Sequence, residues 1–126
     1  MKKIETDQAP QALGPYSQAV EAGGFLFLAG QVPINPITGK IDESSIEGQT
    51  RQVLLNIEAI LKAAGLTMNY VVRSEVFLKD LSHFSAMNEV YATFFTGPIK
   101  PARHTIQVTR LPLDALVEIT CTAILH

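Results

Sequence analysis

The stretch "YSQAVEAGGFLFLAGQ", Tyr16 to Gln31, decides the fold. Gly23-Gly24 lies between two apolar runs and reads as a β-hairpin turn, because two-residue hairpin loops need positive φ at their centre. The run after it is apolar on both parities, with Phe25 and Phe27 on one side and Leu26 and Leu28 on the other. A strand wetted on one face alternates apolar with polar. One that is apolar both ways belongs to a sheet covered on both faces.

The covers follow downstream. "NPITGK" at 35–40 is a loop rich in turn-formers. In "SSIEGQTRQVLLNIEAILKAAG", Ser44 and Glu47 have capping-box spacing, and Val53, Leu54, Ile57, Ile60, Leu61 and Ala64 recur at helical period, with Gly65 as the stop. "YVVRSEVFLKD" at 70–80 reads as a strand. Ser82 then caps a second helix whose stripe is Phe84, Met87, Tyr91, Phe94 and Phe95, ended by Thr96-Gly97-Pro98. "RHTIQVTR" at 103–110 and "LVEITCTAIL" at 116–125 are the last strands, joined by "LPLDA" in what reads as a short hairpin connection.

The order is ββαβαββ, an α+β chain with right-handed crossovers through its helices. Two helices cover one face of a sheet of about five or six strands. The other face of strand 25–28 is then left for a second subunit, so a homo-oligomer is expected.

At 126 residues the chain is read as a single domain, 1–126. Ten basic and twelve acidic residues give a net charge of −2 with no basic stripe, which argues against a nucleic-acid partner. Cys121 is the only cysteine, so neither an intrachain disulfide nor a thiolate metal cluster is available. There is no signal-peptide pattern or membrane-length apolar run, and a cytoplasmic location is expected.

His83, His104 and His126 form no metal-ligand pattern, and no phosphate loop, dinucleotide fingerprint, zinc-deaminase signature or serine elbow is present. Neither a metal nor an organic cofactor is expected, which leaves plain polar side chains and water. Arg103, straight after Pro101-Ala102, suits a carboxylate held by two parallel hydrogen bonds; the plainer alternative is a surface ion pair. Glu118 interrupts the apolar parity of Val117, Ile119 and Cys121, either as part of an exposed face or as a carboxylate that handles water and protons. Tyr16, stiffened by Gly14-Pro15, packs at a strand start or aims into a cleft. Asn88, beside the second helix's stripe, caps backbone or contacts a ligand. His104 shares a parity with Ile106 and Val108 and reads as structural. If the last two strands pair about Pro112-Leu113, Glu118 lies opposite Gln107, with Arg103 on the same face roughly 13 Å further along. A one-residue slip would separate them onto two faces.

"GPYSQAV", "LAGQVPINPITG", "VFLKDLSHFSAMNEVY" and "PARHTIQVTRLPLDALVEI", in that order, resemble the signature of the reactive-intermediate deaminases, the RidA (YjgF-like) family, from about residue 4 to 125. The resemblance implies a chorismate-mutase-like α+β subunit in a homotrimer with clefts between subunits. It implies hydrolysis of enamine/imine intermediates such as 2-aminoacrylate and 2-aminocrotonate to 2-keto acids and ammonia. By position, Arg103 is then the substrate-carboxylate binder and Glu118 the residue that positions or activates water. Tyr16, Gly30 and Asn88 line the pocket. Where the family often has serine before that glycine, this chain has Ala29, and where many bacterial members have cysteine it has Thr105, so Thr105 is read as a backbone contact to substrate. The alternatives are a non-catalytic carboxylate-binding or regulatory module and, with less support, an endoribonuclease or translation inhibitor.

Overall fold

The computed structural model describes residues 1–126. Eight elements follow in order: β1 (Lys2–Ile4), β2 (Ala19–Ala22), β3 (Phe25–Leu28), α1 (Ile46–Ala63), β4 (Val71–Leu78), α2 (Phe84–Phe94), β5 (Ala102–Gln107) and β6 (Val117–Ile124), with 3-10 turns at Met68–Tyr70, Leu81–His83 and Pro112–Asp114. They build one six-stranded sheet in the order β1-β2-β3-β6-β4-β5. The β4–β5 pair is parallel and the others are antiparallel.

The Gly23-Gly24 hairpin forms as its sequence requires, with φ of 59° and 85° at the two glycines. Leu26 and Leu28 turn under the helices and are buried. Phe25 and Phe27 lie on the opposite face, away from both helices, and Phe27 keeps 48% of its surface. In α1, Val53, Leu54, Ile57, Ile60 and Leu61 are fully buried against the sheet, each contributing about 1.5–3 kcal/mol relative to exposure. The α1 cap is Ser45 rather than the expected Ser44: its Oγ accepts from Gly48 N at 3.0 Å. Leu66 N reaches back to Leu61 O beyond Gly65, which closes the helix. Ser82 does not cap α2 either. It sits in the preceding 3-10 turn, where its N–H donates to Asp80 Oδ1 and helps hold that carboxyl below its ordinary pKa.

Two features depart from the expected order. β1, only three residues long, pairs with β2 at one edge. The last two strands do not form a hairpin: β6 inserts between β3 and β4, while β5 takes the far edge beside β4. The connection between them passes over the end of β4, with Val108 N donating to Leu78 O and Lys79 N to Leu116 O. Leu113 and Asp114 adopt positive φ within it, at 57° and 55°.

Both helices pack on one face of the sheet. The other face presents Phe25, Phe27, Ile106 and Ile124, each at least 38% exposed, interleaved with polar side chains. No helix is long and apolar enough to cross a membrane.

Candidate active site

Arg103 sits near the start of β5, in register with Ser74 of β4, which is in turn in register with Cys121 of β6. Ser74 and Cys121 are buried beneath the helices, and paired residues share a face, so Arg103 points to the helix side. Its guanidinium carbon lies 4.7 Å from the centre of the Tyr91 ring and 5.5 Å from that of Phe84. The ion pairs of the chain involve other residues. Arg103 is thus a cation resting on two aromatic rings with no carboxylate of its own, and the surface ion pair offered as its plainer reading is not formed.

Arg103, Asn88, Tyr91, Phe95 and Lys100 line a cleft of about 400 Å³. Lys100 Nζ is tied to the carbonyls of Phe95 and Gly97 at 2.8 and 3.0 Å. The Tyr91 hydroxyl shares a 2.6 Å hydrogen bond with Ser74 Oγ. Burial pushes the Tyr91 pKa up, opposed by the Ser74 hydrogen bond and the Arg103 charge. Thr105, two residues beyond Arg103 on the same face, has a buried Oγ1 with no hydrogen-bond partner. Its strand is an edge with a single neighbour, so part of its backbone is free to bond elsewhere.

Glu118 is placed differently. It pairs with Phe77, one step out of phase with Ser74, and therefore faces away from the helices. The entry to β6 is fixed by Gln49 of α1, whose Oε1 accepts from Leu116 N at 2.8 Å. Gly30 leaves β3 directly against the carboxylate: a Cβ there would collide with Glu118 Oε2 and lie 3.2 Å from Cδ. Glu118 has no hydrogen-bond partner within the chain and is half-buried, and that burial raises its pKa above the ordinary 4.5. A carboxylate held this way is more basic than one in water.

Tyr16 belongs to the Gly30 end. It precedes Gln18, whose carbonyl accepts from Ala29 N at 2.9 Å. Its exposed ring borders a separate cleft with Lys3, Glu5 and Gln11. The residues singled out from sequence therefore fall into two groups: Arg103, Asn88 and Thr105 on the helix side near β5, and Tyr16, Gly30 and Glu118 toward the opposite end. The register that placed Arg103 and Glu118 on one face is overturned, because it assumed a β5–β6 hairpin that the sheet does not contain. Tyr91 and Lys100 were not singled out. The signal for Tyr91 was a hydroxyl in a stripe otherwise made of Phe and Met, where a buried phenol must find a partner.

Two other polar groups are not reactive candidates. His104 lies in an exposed cluster with Arg73 and Glu75. Burial pushes the Cys121 thiol up to about 12, which leaves no thiolate nucleophile near neutrality.

The family model described as "Endoribonuclease L-PSP" matches residues 6–125. The chain belongs to this family. A relative in Pyrococcus horikoshii, a RutC family protein, is 56% identical over 120 residues, which cover 95% of this chain and 94% of that protein. The chloroplastic Reactive Intermediate Deaminase A of Arabidopsis thaliana is 48% identical over 122 residues, 97% of this chain and 65% of that protein. Among solved structures, E. coli TdcF with bound serine matches the whole of both chains at 41% identity with a TM-score of 0.95. The chorismate-mutase-like α+β fold implied by the family resemblance is the fold found, and all four quoted motifs lie inside the matched span.

Proposed function

We propose that this chain is a hydrolytic deaminase of reactive enamine/imine intermediates, 2-aminoacrylate and 2-aminocrotonate among them, and releases a 2-keto acid and ammonia. The observation that carries this reading is Arg103: a guanidinium in an apolar-walled cleft, on two rings, with no internal carboxylate. Such a group suits a small carboxylate by charge-assisted bidentate hydrogen bonding. The family tie to a reactive intermediate deaminase and the serine bound to TdcF support a small α-substituted acid as the ligand class.

In the proposed reaction the enamine tautomerises to the imine, and water adds to the imine carbon. Glu118 takes a proton from that water and delivers it to the imine nitrogen, giving a carbinolamine; it then carries the carbinolamine hydroxyl proton to the same nitrogen as the C–N bond breaks, so that ammonia leaves and the keto acid remains. A carboxylate with a raised pKa serves both directions better than an ordinary one. Gly30 leaves the space Glu118 needs, while Tyr16 and Asn88 complete the walls and the Thr105 backbone contacts substrate. The mechanism assigns no metal or organic cofactor.

Within one chain Arg103 and Glu118 face opposite ways. The proposal therefore includes a homotrimer in which the cleft holding Arg103 meets the Gly30–Glu118 end of a neighbour. The uncovered Phe25, Phe27, Ile106 and Ile124 supply a face for that association.

The test is to generate 2-aminoacrylate with a serine dehydratase and follow pyruvate release against semicarbazide trapping, for wild type, Arg103→Ala and Glu118→Gln. Wild type outrunning the trap with both variants inactive supports the reading; a wild type no faster than buffer overturns it. A carboxylate-binding module shares the Arg103 half of the argument and is separated by Glu118, since binding of a 2-oxo acid without turnover would mark it. Cleavage of RNA, named in the family description, fits a net charge of −2 poorly.

A further inference from the structure

Bidentate binding of a carboxylate needs the Arg103 guanidinium held in one plane, and an arginine at a sheet edge has several rotatable bonds to lose first. Arg103 and Ser74 are in register on adjacent strands and share a face. Ser74 Oγ bonds the Tyr91 hydroxyl at 2.6 Å in a buried environment, and the Tyr91 ring lies 4.7 Å from Arg103 Cζ. The path from Arg103 to Ser74, Tyr91 and back is a closed frame. One side is strand pairing, one a hydrogen bond, one a cation against a ring. Phe95 packs on Tyr91 as well, with ring centres 4.3 Å apart and the ring planes tilted by 31°.

We propose that Tyr91 is the positioning residue for Arg103: its ring fixes the guanidinium plane, and its bond to Ser74 fixes the ring. This rests on Arg103 as the carboxylate binder. A simpler packing role for Tyr91 predicts only loss of stability on substitution. The positioning role predicts that a variant which stays folded loses ground-state carboxylate binding. The ring does the orienting and the hydroxyl only anchors it, so phenylalanine is the conservative replacement.

The experiment has two readouts. The first is NMR of the Arg103 side chain, with the Nε–H and Cδ protons assigned by their loss in Arg103→Lys; a ring held over the group shifts them upfield. The second is the Kd of 2-oxobutyrate together with KM and kcat for in situ 2-aminoacrylate. The shift should be present in wild type, smaller in Tyr91→Phe, where the ring loses its anchor on Ser74, and reduced in Tyr91→Leu to what the Phe84 ring, 5.5 Å away, still gives. Kd and KM should rise about tenfold in Tyr91→Leu, in keeping with a desolvated cation–ring contact, while kcat changes less than about threefold. No upfield shift in wild type overturns the proposal whether or not any variant folds. So does a folded Tyr91→Leu with unchanged Kd, or one that loses kcat at constant KM. If wild type binds no 2-oxobutyrate, the carboxylate reading falls, and the NMR shift alone then decides whether Tyr91 fixes Arg103.

Discussion

Arg103 and Glu118 stand on opposite faces of one sheet. Arg103 is level with Cys121 through Ser74, three residues along β6 from Glu118 and two strands away. That is roughly 10 Å along the strands and about 10 Å across them, with the sheet between the side chains. A three- or four-carbon acid cannot touch both groups of one chain. Each group is nonetheless prepared for work: Arg103 has no internal counter-ion, and Glu118 has no internal hydrogen bond. Two half-sites, each incomplete alone, are consistent with the proposed cleft between identical subunits.

Glu118 should destabilise the fold as it ionises. Its folded pKa lies above the ordinary 4.5 because of burial. Its contribution is therefore most favourable below that value and is lost as pH rises through the folded pKa. Glu118→Gln removes the titration. In thermal melts the variant and wild type should differ little at about pH 4, and the variant should melt higher at about pH 8. A variant that melts lower at about pH 8 would mean that Glu118 has a stabilising partner in the assembly.

Gly30→Ala separates stability from activity. The new Cβ would collide with Glu118 Oε2, the far end of a flexible side chain that can swing aside. The melting temperature should hardly move. Turnover should drop on the order of a hundredfold, since displacing a reacting group by about an ångström has that scale of effect. Full turnover in Gly30→Ala would show that the position of Glu118 at this glycine is not the working one.

The Ser74–Tyr91 pair should behave non-additively. Tyr91→Phe leaves Ser74 Oγ buried without its partner and should cost about 1–3 kcal/mol in urea unfolding. Ser74→Ala should cost a similar amount, and the double variant less than the sum of the two, because no orphaned hydroxyl then remains. Strict additivity would show that water satisfies whichever hydroxyl is left.

The sequence carried the elements better than their neighbours. The α1 stripe and the two parities of β3 were legible because they are local periodicities, and the Gly23-Gly24 turn was legible because it is short-range backbone chemistry. The position of β6 was not legible. Two strands separated by Leu111 to Ala115 suggest a hairpin, yet positive φ at Leu113 and Asp114 carries the chain over the end of β4. Which strand then pairs with β6 depends on contacts far apart in sequence. That single choice also determined the relation of Arg103 to Glu118, so the site residues could be nominated but not placed. Ser45 displaced Ser44 as the cap for a smaller reason: adjacent serines have the same capping chemistry, and only backbone geometry separates them.

Mixing two inactive variants gives the most decisive prediction. Arg103→Ala retains the Gly30–Glu118 half-site, and Glu118→Gln retains the Arg103 half-site. If each cleft draws Arg103 from one subunit and Glu118 from its neighbour, trimers co-refolded from equal amounts contain some clefts with both groups intact. Random assembly places an intact Arg103 beside an intact Glu118 in about one quarter of clefts, so activity should return to about one quarter of wild type. If both groups acted within one subunit, every cleft would lack one of them and the mixture would stay inactive. Unmixed controls of each variant, carried through the same refolding, fix the baseline. The co-refolded species must also run as a single oligomer by light scattering, and a monomeric species with full deaminase activity would remove the need for a neighbour altogether.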